Sequence, residues 1–494
     1  MSSAITTTYV PGTQPVGQAA NKALIIGPSS AGVKDTQIYT FASQNKVNTD
    51  IGYGNAALAA QLFMAMAPSG YGSVDVLVAS GSNTSITTVS AASPSITVAG
   101  TPYADYDLRI VVTDAGITGA MKFKYSGDGG NTYTDPIRST GSLSGSYVLP
   151  NMGITVSFAT GTHAEDNTAM FTVLGPTMST AQLAQCMATV SNSNSSYTLV
   201  LVADSNPNPS SNLFTAMDGH LDTLQAQGKY TAAVVPGGGE TRLFNRTFAG
   251  QNGTYNASTT VAAEQSLENS TGNFCALIAE KVNTYIPVTQ PGYARPRLPL
   301  AFTVAAEMHG VGSDISKNPA QSAIRRVETP SYDEFKDGFV YSDEQIIAPR
   351  TFQGEPGIQI DEAWLKYAPT NADVDIWPKA RVVNRATEVV RTALRPWLHA
   401  RVRTLTDGTG RIDPGDKAVI ETSVNKALRA ALITPTNGQG FPGHCTAVLF
   451  TINGENNLLS TSQLEGTTLI VPFAYPNSIS VNISLTDTIP VSVG

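Results

Sequence analysis

Between Ser80 and Gly175 the helical period disappears from a chain that reads as α/β on either side, and this interruption constrains the fold more than any other feature. Before it, Ala23-Leu24-Ile25-Ile26-Gly27 is a short buried strand that ends in the turn Pro28-Ser29-Ser30-Ala31-Gly32. A helix is expected over Asn55–Met66, with Leu58, Leu62, Phe63 and Met66 on one face, followed by a second buried strand, Val74–Ala79. Inside the interruption come short Thr-, Val- and Ser-rich runs split by Gly and Pro: 85–89, 95–98, 108–113, 121–125, 147–149, 154–158 and 169–174. Short strands at such regular spacing predict a β-sandwich or small barrel. Beyond it the α/β order resumes with a helix over Ser179–Val190, a strand over Thr198–Ala203, a helix over Asn212–Gln227 and a strand over Thr231–Val235. The β run therefore reads as an inserted domain joined by two crossings.

A second α/β part is expected from Leu298, with strands at Leu300–Ala306, near Phe339–Tyr341 and at Ala363–Tyr367. A long helix over Lys379–Val402 carries Val382, Ala386, Val389, Ala393 and Trp397 on one stripe, with Pro396 expected to kink or break it. Asp413-Pro414 caps and opens a second helix bearing Val419, Ile420, Val424, Ala427 and Leu428. Strands at Thr446–Ile452 and Thr468–Phe473 close this part. After the turn Tyr475-Pro476-Asn477, Ile479, Val481, Ile483 and Leu485 alternate with Ser480, Asn482 and Ser484, the pattern of a half-buried strand with no returning strand in the sequence. At the other end Ser2–Gln18 is polar, Thr-rich and interrupted by Pro11 and Pro15, which favours an extended arm. Open strand edges recruit other chains, so two extended ends predict strand exchange between copies and a function in assembly.

Length and charge fit that reading. A chain of 494 residues exceeds one typical core. Charged residues make up 14%, well below the ~25% of average soluble proteins, as suits a surface covered by neighbours. The net charge of −8 argues against direct binding of nucleic acid. Cys186, Cys275 and Cys445 are far apart and form no CxxC pair, so they read as reduced core residues. No apolar run is long enough to span a bilayer, and no signal peptide is expected.

The chemical motifs have structural readings. Gly52-Tyr53-Gly54-Asn55-Ala56-Ala57 fits GxGxxA, but Lys46–Asp50 is polar where a dinucleotide fold needs a buried strand, and Asp75 opens the next strand where the ribose-binding acid should close it. Ser126–Tyr133 resembles an Asp-box turn and lacks the arrangement of an EF-hand. Ile26–Ala31 lacks the second glycine of a nucleophile elbow, and Pro236–Gly239 lacks the Lys-Ser/Thr ending of a phosphate loop. His163, His220, His309, His399 and His444 are isolated. Neither a catalytic site, a metal site nor a cofactor is expected.

One charge run stands out. Lys379, Arg381, Arg385, Arg391, Arg395, Arg401 and Arg403 face the single acid Glu388 within the expected long helix. The plain reading is a solvated helix face; the functional one is a docking face for an acidic partner.

In this order the chain resembles a contractile tail sheath protein of the Mu-like phage type over nearly its whole length. The residues that carry the likeness are Ala23–Gly27; Thr40-Phe41 leading to Ile51-Gly52-Tyr53-Gly54; Asn318-Pro319-Ala320; Pro349-Arg350-Thr351; Arg381-Val382-Val383-Asn384-Arg385; and Leu469-Ile470-Val471-Pro472 before the alternating strand. The resemblance implies a multi-domain α/β fold: a sheath core with an inserted all-β domain and extended N- and C-terminal arms. Its parts would be an arm over 1–22, an α/β domain over 23–79 and 176–297, the insertion over 80–175, a C-terminal α/β core over 298–477 and a strand arm over 478–494. It further implies stacked rings of this chain around an inner tail tube, with baseplate and tail terminator proteins as further partners. Such a sheath is assembled in the host bacterial cytoplasm, becomes part of a virion tail, and contracts to drive the tube through an envelope for genome delivery. The arm residues expected to pair across copies are Ile5, Tyr9 and Val10, and Ile479, Val481, Ile483, Leu485, Ile489 and Val491. The basic helix would then contact the inner tube. A sheath subunit of a phage-tail-like bacteriocin or another contractile injection system is the near alternative. A carbohydrate-binding adhesin or carbohydrate-active enzyme using the β insertion is the distant one, although no paired catalytic carboxylates stand out.

Overall fold

The computed structural model describes residues 22–66, 73–82, 84–138, 145–204, 210–237, 275–278, 281–283, 297–310, 314–321, 323–325, 345, 347, 349–350, 356–365, 374–434 and 443–475. The chain opens with β1 (Ala23–Pro28), β2 (Ile38–Phe41), α1 (Gln44–Ile51), α2 (Asn55–Met66) and β3 (Val74–Ala79). Strands alone follow: β4 (Ser85–Ser90), β5 (Ile96–Gly100), β6 (Tyr106–Asp114), β7 (Gly116–Ile117), β8 (Lys122–Ser126), β9 (Ile137–Arg138), β10 (Ser146–Leu149), β11 (Ile154–Phe158), β12 (Thr162–His163) and β13 (Thr168–Leu174). Next come α3 (Thr180–Asn192), β14 (Leu199–Val202), α4 (Ser210–Ala226), β15 (Ala232–Pro236), β16 (Cys275–Ile278), β17 (Lys281–Asn283), β18 (Arg297–Pro299) and α5 (Leu300–Gly310). The last described elements are β19 (Pro349–Arg350), β20 (Gln359–Ile360), α6 (Trp377–Leu394), α7 (Pro414–Leu432), β21 (Ala447–Ile452), α8 (Leu458–Thr461) and β22 (Gly466–Val471). The fold is mixed α/β with several sheets.

A six-stranded sheet in the order β16-β15-β14-β1-β3-β2 gathers strands from both sides of the β run. Its pairs are parallel except β2 with β3. Every residue of β1, β3, β14 and β15 is buried, which is why these strands are near-continuous apolar runs rather than alternating ones, with Asp75 of β3 the one charged member. Ile25, Val76, Leu201 and Val234 share one apolar cluster with residues of α2 and α5. Leu24, Ile26, Val200 and Val235 share another with residues of α3 and α4, so the sheet is covered on both faces.

The strands of the β run form a five-stranded antiparallel sheet, β4-β13-β6-β8-β9, and a three-stranded one, β10-β11-β5. Phe123 of the first sheet packs on Phe158 of the second with ring centroids 4.9 Å apart, and edge-on against Tyr147 at 5.4 Å. Leu108, Ile110, Val112 and Phe123 share a cluster with Leu149, Ile154, Val156 and Phe158, the interior of a sandwich.

The remaining core is small. Val382, Ala386 and Val390 of α6, Ile420, Val424, Leu428 and Leu432 of α7, and Val448, Phe450 and Ile452 of β21 form one cluster. Trp377 and Ala380, in the first turn of α6, belong instead to the cluster beneath the large sheet, so α6 joins the two cores through one rigid element. The Asp413 carboxylate accepts from the Gly415 and Asp416 amides at 2.9 and 3.3 Å, with Pro414 at the first helical position of α7.

Several expectations are corrected. Leu300–Ala306 is not a strand but most of helix α5, buried nearly all round. A short continuous apolar run has no period that separates a buried strand from a buried helix, and here helix formers such as Leu and Ala prevail. The expected strand at Ala363–Tyr367 reduces, within its described residues, to a single bridge between Trp364 and Ile376; Phe339–Tyr341 lies outside the described residues. Helix α6 ends at Leu394, and Arg395–Trp397 forms one 3-10 turn, because Pro396 has no amide to continue the ladder. Val419 is 56% exposed and lies off the buried stripe of α7.

Candidate functional site

The arm residues Ile5, Tyr9, Val10, Ile479, Val481, Ile483, Leu485, Ile489 and Val491 lie outside the described residues; the described residues that border them are Lys22 and Tyr475. Lys22 carries its ammonium 2.6 Å from the Asp75 carboxylate, and its carbonyl accepts from the Thr198 amide. At the other end the Tyr475 hydroxyl donates to the Ser316 carbonyl at 2.7 Å. Burial, aided by the Asp314 and Glu362 carboxylates, pushes the Tyr475 phenol well above its ordinary range. Both roots are held by side-chain contacts that span long sequence separations.

The hairpin β21–β22 precedes the C-terminal root. Val448, Phe450 and Ile452 face α7, while Leu449 and Leu469, paired directly across the strands, are 47% and 46% exposed. The β21 edge is not free. Asn425 of α7 donates from Nδ2 to the Phe450 carbonyl at 2.9 Å and accepts the Phe450 amide at Oδ1 at 2.8 Å, and Glu421 accepts the Ile452 amide at 2.7 Å. Sequence reading missed both residues. Their polarity marks them only as the solvent side of a helix, and which backbone they meet is a tertiary fact.

The basic run is divided by the fold. Lys379 pairs with Asp375 at 2.6 Å, Arg385 with Glu388 at 2.7 Å, and Arg403 with Asp416 at 2.7 Å and Asp413 at 3.5 Å. Burial pushes the Glu388 carboxyl up, and the Arg385 guanidinium draws it back. Arg381 is buried. The guanidinium of Arg391 lies over Gly228, in the space any side chain there would fill, and hydrogen-bonds Tyr230. Three of the seven cations of the run, Lys379, Arg385 and Arg403, are thus paired with acids, two of them with acids outside α6, and Arg395 and Arg401 are exposed in the turn and loop after it.

The other motifs take structural roles. The Asp128 carboxylate accepts from the Ser126 hydroxyl at 2.6 Å, the Thr132 amide at 2.9 Å and the Thr132 hydroxyl at 2.5 Å, which closes the Asp-box-like turn on itself. Gly54, at φ 143°, lets the 28–29 backbone approach so closely that a Cβ would stand 2.9 Å from the Ser29 Cα, so its glycine face is filled by protein. The Ser29 hydroxyl donates to the Ile51 carbonyl at 2.6 Å. Cys186, Cys275 and Cys445 are buried and unpaired. Among the described residues no group of His, Cys, Asp or Glu is arranged to hold a metal, and no helix is long and apolar enough to cross a membrane.

No family model matches the sequence, and no curated protein matches it. Among solved structures, the fold is similar to the anti-feeding prophage helical sheath in its contracted state, at 12% identity over 98% of this chain and 100% of that chain, with a TM-score of 0.48. It is similar to a chain of the same prophage's contracted baseplate at 13% identity, over 97% and 99% of the two chains, with a TM-score of 0.47. It is also similar to a sheath tail protein of Listeria innocua at 12% identity, over 92% and 96%, with a TM-score of 0.42. Scores and identities this low assign neither a family nor a function.

Proposed function

We propose that this chain is a structural, non-enzymatic subunit of a contractile tail sheath that polymerises around an inner tail tube. The observation that carries the reading is the β21–β22 hairpin, with an outer face that is apolar and exposed, placed directly before the alternating apolar and polar residues of 478–485. Such a hairpin is completed by a strand from another copy. The resemblance in motif order supports the finer parts: a β insertion on the outside, arms over 1–22 and 478–494 tying copies together, baseplate and terminator partners, assembly in a bacterial cytoplasm, and contraction for delivery through an envelope. Force would come from two packings of the same subunits that differ in free energy, with the lower one blocked kinetically after assembly.

Rings or helical tubes are expected when the purified full chain is viewed by negative-stain electron microscopy. A uniformly monomeric preparation under every assembly condition would overturn the reading. A bacteriocin-type sheath shares this outcome and is separated from a virion by whether the particles carry DNA. No observation favours the glycan-binding reading of the β insertion; its Asp-box-like turn spends the Asp128 carboxylate on its own backbone and hydroxyls.

Within this reading we propose Arg395 and Arg401, exposed after α6, as the contact with the tube. Exchanging both Arg395 and Arg401 for Glu is expected to weaken co-sedimentation with the inner tube about tenfold at low salt, with a smaller change at high salt, because exposed pairs each contribute only about 0–1 kcal/mol but repeat around the ring. Unchanged co-sedimentation at low salt would exclude this contact.

A further inference from the structure

We infer that the β21–β22 hairpin is single-ended: Asn425 and Glu421 occupy the outward amide and carbonyl of Phe450 and the outward amide of Ile452 on its β21 edge, so an incoming strand from a second copy adds only at β22. This rests on the strand-exchange reading above and adds to it which edge accepts and which residues forbid the other. The register decides which groups face outward. The Asn453 amide donates to the Glu465 carbonyl at 2.9 Å, which makes the odd-numbered residues of β21 those bonded to β22. Phe450 and Ile452 therefore turn their amides away from β22, and there they meet Asn425 and Glu421. Asn425 is well suited to this position, because its amide presents one donor and one acceptor side by side, as a neighbouring strand residue would. Asn425 and Glu421 stand four residues apart and so share one flank of α7.

By the same register Thr468, opposite Phe450, and Ile470, opposite Val448, turn their main-chain groups away from β21. Among the described residues these groups meet no hydrogen-bond partner. Nor does β22 carry the usual protection of an edge. Gly466-Thr467-Thr468-Leu469-Ile470-Val471 has neither charge nor proline, and its pairing with β21 is regular throughout. Ile470 packs against the cluster that holds Val448 and Phe450, so a strand placed beside β22 extends that core if its apolar side chains point toward α7. The occupant this edge fits is an extended, uncharged segment of a second copy with apolar residues at every other position, the pattern of Ile479, Val481, Ile483 and Leu485.

The test is hydrogen exchange on the full chain with and without an excess of a peptide having the sequence of Ser478–Leu485. Exchange at the Thr468 and Ile470 amides is expected to slow by about tenfold or more, while Phe450 and Ile452, already bonded, do not change. In Asn425→Leu, Phe450 exchange is expected to quicken by about tenfold and the number of peptides bound to rise from one to two. Slowing at the β21 edge in the wild-type chain, no slowing at Thr468 and Ile470, or a second peptide bound without any substitution would each overturn the inference. The wild-type measurement stands even if the variant does not fold. Because the peptide readout needs no polymer, a chain that binds one peptide at β22 yet never forms tubes defeats the sheath reading alone.

Discussion

Removing Ser478–Gly494 is expected to leave a chain that folds, stays in solution and forms no tubes. Those residues would pair with a neighbouring copy, so their loss should not disturb the described cores, which are built from residues between Ala23 and Ile470. Magnitudes indicate why the loss is complete rather than partial. Burying Ile479, Val481, Ile483 and Leu485 would contribute on the order of 6–12 kcal/mol at about 1.5–3 kcal/mol each. The main-chain bonds add about 0.5–1.5 kcal/mol apiece. Association itself costs about 4–15 kcal/mol, so each junction is close to balance alone and repetition over many copies decides the outcome. Without the segment each junction loses that contribution and the balance tips against association. Circular dichroism and size-exclusion chromatography should report a folded monomer, and electron microscopy should show no rings or tubes; tubes of normal appearance would refute the arm mechanism.

What could be read from the residues follows from how local the deciding interactions are. Asn55–Met66 and Val74–Ala79 were legible because length and composition settle a twelve-residue helix and a six-residue buried strand without reference to partners. The start of α7 was legible because a cap is a contact between near neighbours, Asp413 with the Gly415 and Asp416 amides. The short strands between Ser85 and Leu174 were legible from their spacing, although which sheet each joins was not. Leu300–Ala306 failed because an unbroken apolar run hides its period. The basic run was legible only as charge: its cations are sequence facts, but the partners Asp375, Asp413 and Asp416 come from outside α6. Asn425 and Glu421 were invisible for the same reason, since a side chain that closes a strand edge from a helix leaves no mark in either segment.

Asp75 is a point at which a single substitution should damage the body severely. A sequence reading set it aside as an acid at the wrong end of a strand for ribose binding, and the fold assigns it structural work. It is 1% exposed at the start of β3, held by the Lys22 ammonium at 2.6 Å, the Thr40 hydroxyl at 2.7 Å and the Tyr197 hydroxyl at 2.9 Å. Lys22 stands before β1, Thr40 lies in β2 and Tyr197 just before β14, so one carboxylate ties together the starts of three parallel strands and the edge strand beside them. Asp75→Ala is expected to cost about 3–5 kcal/mol, because it strands a buried hydroxyl and an ammonium that is only partly solvated. Asp75→Asn keeps the shape and one accepting oxygen, so the Tyr197 hydroxyl can still donate to it while the charge is lost, and about half that loss is expected. In Asp75→Ala combined with Tyr197→Phe the losses should fall short of additive by about 1 kcal/mol, since the hydroxyl left unpaired by the first change is absent in the second. Urea unfolding midpoints at constant slope measure all three variants. If Asp75→Ala moved the midpoint no more than an exposed substitution does, within about 0.5 kcal/mol, the carboxylate would not be what holds the N-terminal root against the sheet.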